Sequence, residues 1–178
     1  HLNGRPRWEA SLAAFVPLAD AVPNLTAAGA CNGVFDTLGC LSEGQAAAQA
    51  ALRALNMAAA DAALPKAEGL PYVIAPLWQV VGKGRAWLDF ANDVTTKDVK
   101  LAAQEGYKSV EHMKRYTTQG MAPDQGKNSN IGALAVLADA TGKGIPETGT
   151  TTYRPPFVPT SIAVLGAGGR GAGFAPQR

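Results

Sequence analysis

Little in this sequence carries obvious chemistry. Only two cysteines occur among the 178 residues, Cys31 and Cys40, too few for a disulfide framework or a four-thiolate metal site. The net charge is +2, too small to point to a nucleic-acid partner. No apolar run reaches the roughly 18 residues that a membrane helix needs. No secretory leader is recognisable, and the expected setting is the reducing cytoplasm. Charged residues make up 17%, below the usual share for a soluble domain, so part of the surface is expected to be covered. An initiator methionine is also missing, since the chain begins at His1. A processed chain, or a piece of a longer one, is expected.

What is abundant is alanine, within a hydrophobic content of 47%. Alanine supports a core but buries little area per residue. Residues 1–62 read as the end of an α/β domain, with Leu25–Gly29 as a strand leading into an alanine-rich helix. Leu38, Leu41, Ala48, Leu52 and Leu55 have helical spacing, and Gly39 and Gly44 should weaken or bend that helix. Residues 63–85 form a linker. Pro65, Pro71 and Pro76 prevent a helix there, while Tyr72, Val73, Ile74, Leu77, Trp78, Val80 and Val81 call for burial, so the linker should be ordered.

Residues 86–145 read as a small helical module. Trp87–Phe90 makes an extended entry. Thr95 and Asp98 form a capping box for a helix that stops at Gly106. Ser109 caps a second helix to about Tyr116. Ser129 or Asn130 caps a third, which carries Ile131, Leu134, Leu137 and Ala138 and ends at Gly142. Residues 146–178 form a Pro/Gly-rich arm, extended around Pro155, Pro156 and Pro159.

Three apparent motifs fail on context. Gly166-Ala167-Gly168-Gly169-Arg170-Gly171 has dinucleotide-loop spacing behind a possible strand, Ile162–Leu165. The seven residues after it leave no room for the following helix and acid that such a loop needs. Thr141-Gly142-Lys143-Gly144 lacks the upstream glycine and trailing hydroxyl of a phosphate loop. His112 has no acid–base partner at useful spacing, and packing or interface work suits it better than catalysis.

Longer stretches are more specific. Val94-Thr95-Thr96-Lys97-Asp98-Val99, Glu105–His112, Lys114–Met121, Asp124–Lys127 and Gly149–Pro156 together resemble the alpha subunit of heterotetrameric sarcosine oxidase. So does Ala28-Gly29-Ala30-Cys31-Asn32-Gly33-Val34-Phe35 with Cys40, Leu41 and Gly44. The resemblance implies a mainly α chain with a minor α/β remnant. It would hold the C-terminal part of a dinucleotide-binding domain, then a helical module of the 2Fe–2S type. Relatives of that module carry C-x-C before the V-T helix start and a second cysteine pair in G-M-x-x-C-Q-G-x-x-C. Here Asp89, Ala91, Asp124 and Ser129 stand at those positions. Iron–sulfur clusters need thiolates, so no iron–sulfur cluster and no other metal is expected, and helix-end amides are expected to hold the two acids and the serine.

The resemblance also implies function: oxidative demethylation of sarcosine to glycine, with hydrogen peroxide and 5,10-methylenetetrahydrofolate formed. Partners are the beta and other subunits and the rest of the alpha subunit. Substrate oxidation belongs to the beta subunit, so no catalytic residue is assigned here, and this stretch alone is expected to be inactive. Candidate NAD contacts are Gly29, Ala30, Asn32 and Gly33; a tight turn that needs small residues explains them equally well. Candidate contacts to FMN, which the resemblance places at the alpha–beta interface, are Lys114, Arg115, Thr117, Thr118, Gln125, Gly126, Lys127 and Ser129. Hydroxyls and cations at a helix start suit a phosphate, and a solvated charged turn is the alternative. Two rival readings remain open: a freestanding helical scaffold, and the matching subunit of a secondary-amine or opine dehydrogenase.

Overall fold

The computed structural model describes residues 5–153 and 160–165. The glycine-spaced run 166–171 and the prolines at 155, 156 and 159 lie outside the described residues. The chain divides into two compact units, residues 1–77 and 78–178.

The first unit opens with an antiparallel hairpin, β1 (Arg7–Glu9) and β2 (Ala14–Val16), in which Trp8 faces Phe15. Their rings meet edge to face at 5.0 Å. The hydrogen bond from Arg7 holds the Glu9 carboxyl below its usual range, and Ser11 adds to the effect. Leu25–Gly29 does not form the expected strand. Ala28 is extended, but a strand also needs a neighbour to complete its ladder, and the sheets present among the described residues are two separate hairpins. A short 3-10 turn, Gly29–Asn32, follows instead.

The helix expected next is there as α1, Thr37–Ala54, continuous through both glycines. Its start is fixed by Asp36, whose carboxylate accepts the Gly39 amide at 2.8 Å. That contact satisfies one of the free N–H groups of a helix end. None of the α1 residues is buried. The chain then returns along α1, where Gln49 donates to Asp61 at 2.7 Å and Gln45 to the Ala62 carbonyl. Further on, the Tyr72 hydroxyl donates to the Gly33 carbonyl at 2.7 Å.

The second unit holds a hairpin and a helical core. Strands β3 (Trp87–Asp89) and β4 (Val94–Thr95) pair antiparallel with an irregularity at Trp87/Asp89. Helix α2 (Thr96–Gln104) begins at the expected capping box, in which the Asp98 carboxylate accepts from the Thr95 amide and hydroxyl, both at 2.7 Å. Helix α3 (Val110–Thr117) is capped by Ser109, and α4 (Asn130–Thr141) ends on left-handed Gly142. A single turn, α5 (Ile145–Thr148), carries Pro146 near its start, where a missing amide costs nothing. Ile162–Leu165 forms a one-turn helix, α6, and not the strand expected there. Val99, Ala102, Met113 and Leu137 are fully enclosed, and Ala133 to Ala138 of α4 are all buried. The core therefore lies where α2, α3 and α4 meet.

Candidate functional site

The loops around the start of α4 carry most of the buried polar chemistry. Asp89 closes β3 with a side chain only 2% exposed. Its Oδ1 accepts the amides of Ala91 at 2.9 Å and Asn92 at 3.3 Å, and its Oδ2 accepts the Gly120 amide at 2.8 Å. One carboxylate thus ties the tip of the β3–β4 hairpin to the turn after α3. These amides belong to a loop and a turn, not to a helix start. Asn92 adds a second tie, donating to the Thr118 carbonyl at 2.9 Å. The bonds to the Asp89 carboxylate are charge-assisted and so the stronger kind.

The turn itself is organised by Gln119, which sequence reasoning does not single out, and by Asn130, which it marks only as a helix cap. Gln119 is fully buried, and its Nε2 donates to the Ser129 hydroxyl at 2.8 Å. Asn130 donates to the Gln125 carbonyl at 3.1 Å and the Thr151 hydroxyl at 3.0 Å. The Asn130 amide packs against Gly120 and Gly126, both at positive φ. A Cβ on either would lie 2.3 or 2.2 Å from Asn130 Oδ1. Only glycine meets both demands. The signal was in the sequence as two Gln-Gly pairs, 119–120 and 125–126, with Pro123 between them. Among the described residues, Gln119 Oε1, Asp124 Oδ1 and Asn130 Oδ1 are buried acceptors without a protein donor.

The predicted anion-binding residues fall into two groups. Lys114, Thr117 and Ser129 serve the fold. Lys114 is 7% exposed and donates to the Thr152 carbonyl at 2.9 Å. Glu111 accepts the Thr152 amide at 2.7 Å, so both residues fasten the segment after α5. Thr117 Oγ1 donates to the Met113 carbonyl at 2.8 Å and accepts the Gln119 amide at 3.1 Å. Ser129 occupies the N-cap position of α4, but no cap bond comes from its side chain. Arg115, Thr118 and Lys127 are exposed. Arg115 pairs with Glu111 at 3.3 Å, and Thr118 is left-handed. Gln125 and Gly126 both adopt positive φ. His112 is exposed on α3, its amide held by Ser109.

In the first unit, Glu43 is the residue that was missed. Its carboxylate accepts the Gly29 amide at 2.8 Å and the Asn32 side-chain amide at 3.1 Å. Ala30 and Gly33 complete the turn, Gly33 in the left-handed region. Glu43 lies one helical turn past Gly39 in α1, so helix periodicity combined with a loop rich in donors was the available signal.

Residues 83–169 match the family model described as the Sarcosine oxidase A3 domain. The whole chain is 42% identical, over 181 residues, to sarcosine oxidase subunit alpha of Rhizobium meliloti (strain 1021). The chain belongs to the sarcosine oxidase alpha-subunit family. It is 39% and 40% identical to the alpha subunits of Corynebacterium sp. strains P-1 and U-96, with 99% of this chain covered each time. It spans 18–19% of the length of these relatives. The A3 match begins five residues after the second unit does and takes in α2 to α5. The Asp89 and Asn130 networks therefore lie inside the A3-matching region. Among the described residues, no helix is long and apolar enough to cross a membrane, and no group of three or more His, Cys, Asp or Glu side chains is placed to hold a metal.

Proposed function

We propose that this chain acts as part of the alpha subunit of a cytoplasmic, heterotetrameric sarcosine oxidase, contributing cofactor-side and inter-subunit contacts and no catalytic group. The reaction served is the demethylation of sarcosine to glycine, with hydrogen peroxide and 5,10-methylenetetrahydrofolate as further products. The observation that carries this reading is similarity at 39–42% identity along essentially the whole chain to three subunits of that name.

At the second unit, the reading is that FMN presents its phosphate to the corner formed by Arg115, Thr118, Gln125, Gly126 and Lys127. Exposed cations next to a turn rich in backbone amides favour an anion. Lys114, Thr117 and Ser129 hold that corner in shape through the bonds described above. Bound flavin supplies the electron relay to oxygen, and the residues here hold it in place. At the first unit, the turn Gly29–Gly33 favours the sugar hydroxyls of NAD over its phosphates. The Glu43 carboxylate already occupies the Gly29 amide and the Asn32 side chain, and a phosphate there would meet like charge.

The test is flavin content. In the assembled enzyme, Lys127→Ala combined with Arg115→Ala should lower retained FMN severalfold after gel filtration, while subunit composition stays intact. Unchanged FMN would remove this corner from the cofactor site and leave an interface role.

A further inference from the structure

One stretch is out of keeping with the rest of the surface. Residues 69–82 contain no charged side chain, although Glu68 and Lys83 flank them. Within the stretch, Leu70 is 63% exposed, Val73 95%, Leu77 77%, Val80 69% and Val81 94%. No helix or strand forms between residues 57 and 86. Pro71 and Pro76 break any ladder that the backbone could join. Tyr72 is tied to the Gly33 carbonyl, and Ile74 and Trp78 are half-buried. Isolated exposed apolar residues need no explanation, but the five that alternate with these in one uncharged stretch mark a surface meant to be covered.

We propose that residues 69–82 dock as an extended strap in an uncharged, apolar groove on the part of the same alpha subunit that lies outside this chain. The inference rests on the proposed reading of this chain as part of an alpha subunit and not on either cofactor assignment. Three observations choose that occupant. The relatives are about five times longer than this chain, which covers 18–19% of them, so on that reading an alpha subunit of their length offers ample further surface. The strap is also short. A standard interface between separate chains uses about 20–30 residues a side, and fourteen fall short of that. Docking within one polypeptide needs less, because the tether fixes a high effective concentration and no translational freedom is lost. Finally, the strap is too short and too proline-broken to cross a bilayer, which takes about 20 apolar helical residues.

The experiment places the photocrosslinker p-benzoylphenylalanine at Val73, and separately at Val81, in the full-length alpha subunit of the assembled enzyme. Irradiation is followed by peptide mapping. The expected adduct joins the strap to alpha-subunit residues outside these 178, at both positions. Adducts to another subunit, adducts confined to this stretch, or no adducts would each overturn the proposal. Adducts that appear only with added phosphatidylcholine vesicles would do so as well, by assigning the strap to a lipid surface. As a second reading, Val73→Asp together with Val81→Asp should make the strap at least tenfold more sensitive to limited proteolysis in the intact enzyme. Unchanged sensitivity counts against docking. Flavin content reports on the FMN corner independently, so the two ideas fail separately.

Discussion

Helices α1 and α4 are both rich in alanine and leucine, yet they end in opposite circumstances. Helix α1 runs 18 residues and buries none of them. Helix α4 runs 12 and buries seven. Composition does not separate the two. What does is the company each keeps within its own unit. Helix α4 has α2 and α5 against it, whereas α1 meets a 3-10 turn and an irregular return segment held by glutamine side chains. Helices in proteins draw most of their stability from packing, not propensity. The second unit is therefore expected to behave as a cooperative core. In the first, α1 depends on its cap and on the Glu43 and Gln49 contacts.

This contrast can be broken, and the largest effect should come from Asp89→Ala. That change strands the amides of Ala91, Asn92 and Gly120, at about 3 kcal/mol of stability. Amide exchange in the full subunit should speed up across α2, α3 and α4 and leave α1 untouched. Acceleration in α1 as well would show that the two units share one cooperative core. Gly126→Ala should cost about 2 kcal/mol, because it forces a side chain into positive φ against Asn130. Thermal unfolding measures it, and Asn130→Gly in the same chain should recover part of the loss by removing the clash.

Smaller effects sharpen the picture of the first unit. Asp36→Ala removes the α1 cap and should cost about 1 kcal/mol locally, seen as faster exchange at the amides of Leu38 to Cys40 with the second unit unchanged. The smallest effect is spectroscopic. The Glu105 carboxylate accepts the Tyr116 hydroxyl and raises its pKa above the usual phenol value. A raised folded pKa means that the contact helps stability below the ordinary phenol pKa, and that the help is lost as pH rises through the folded value. Ultraviolet difference titration should show one late-ionising tyrosine, and Glu105→Gln should return it toward the others.

Much of the second unit was legible because its signals are local. The Thr95–Asp98 box, the Ser109 cap and the stops at Gly106 and Gly142 are each decided within four residues. The first unit was harder to read. Leu25–Gly29 looked like a strand because apolar, strand-compatible residues precede a glycine, but a strand exists only with a neighbour, and none pairs there. The candidate site was half legible. Lys114 and Ser129 were identified as polar groups beside a turn, while their burial and their partners, Thr152 and Gln119, depend on chain segments 38 and 10 residues away.

By itself the sequence determined the family, the caps, the helix ends and the shortage of charge that marks residues 69–82, because each is a property of adjacent residues or of a contiguous string. Only the tertiary structure decided that Asp89 is a staple, that Glu43 fills the Gly29 turn, that Asn130 is clasped between two glycines, and which cations face water. Those outcomes depend on which groups meet across long chain separations. A buried donor or acceptor takes whatever partner the packing brings within about 3 Å, and that distance is not written in the order of the residues.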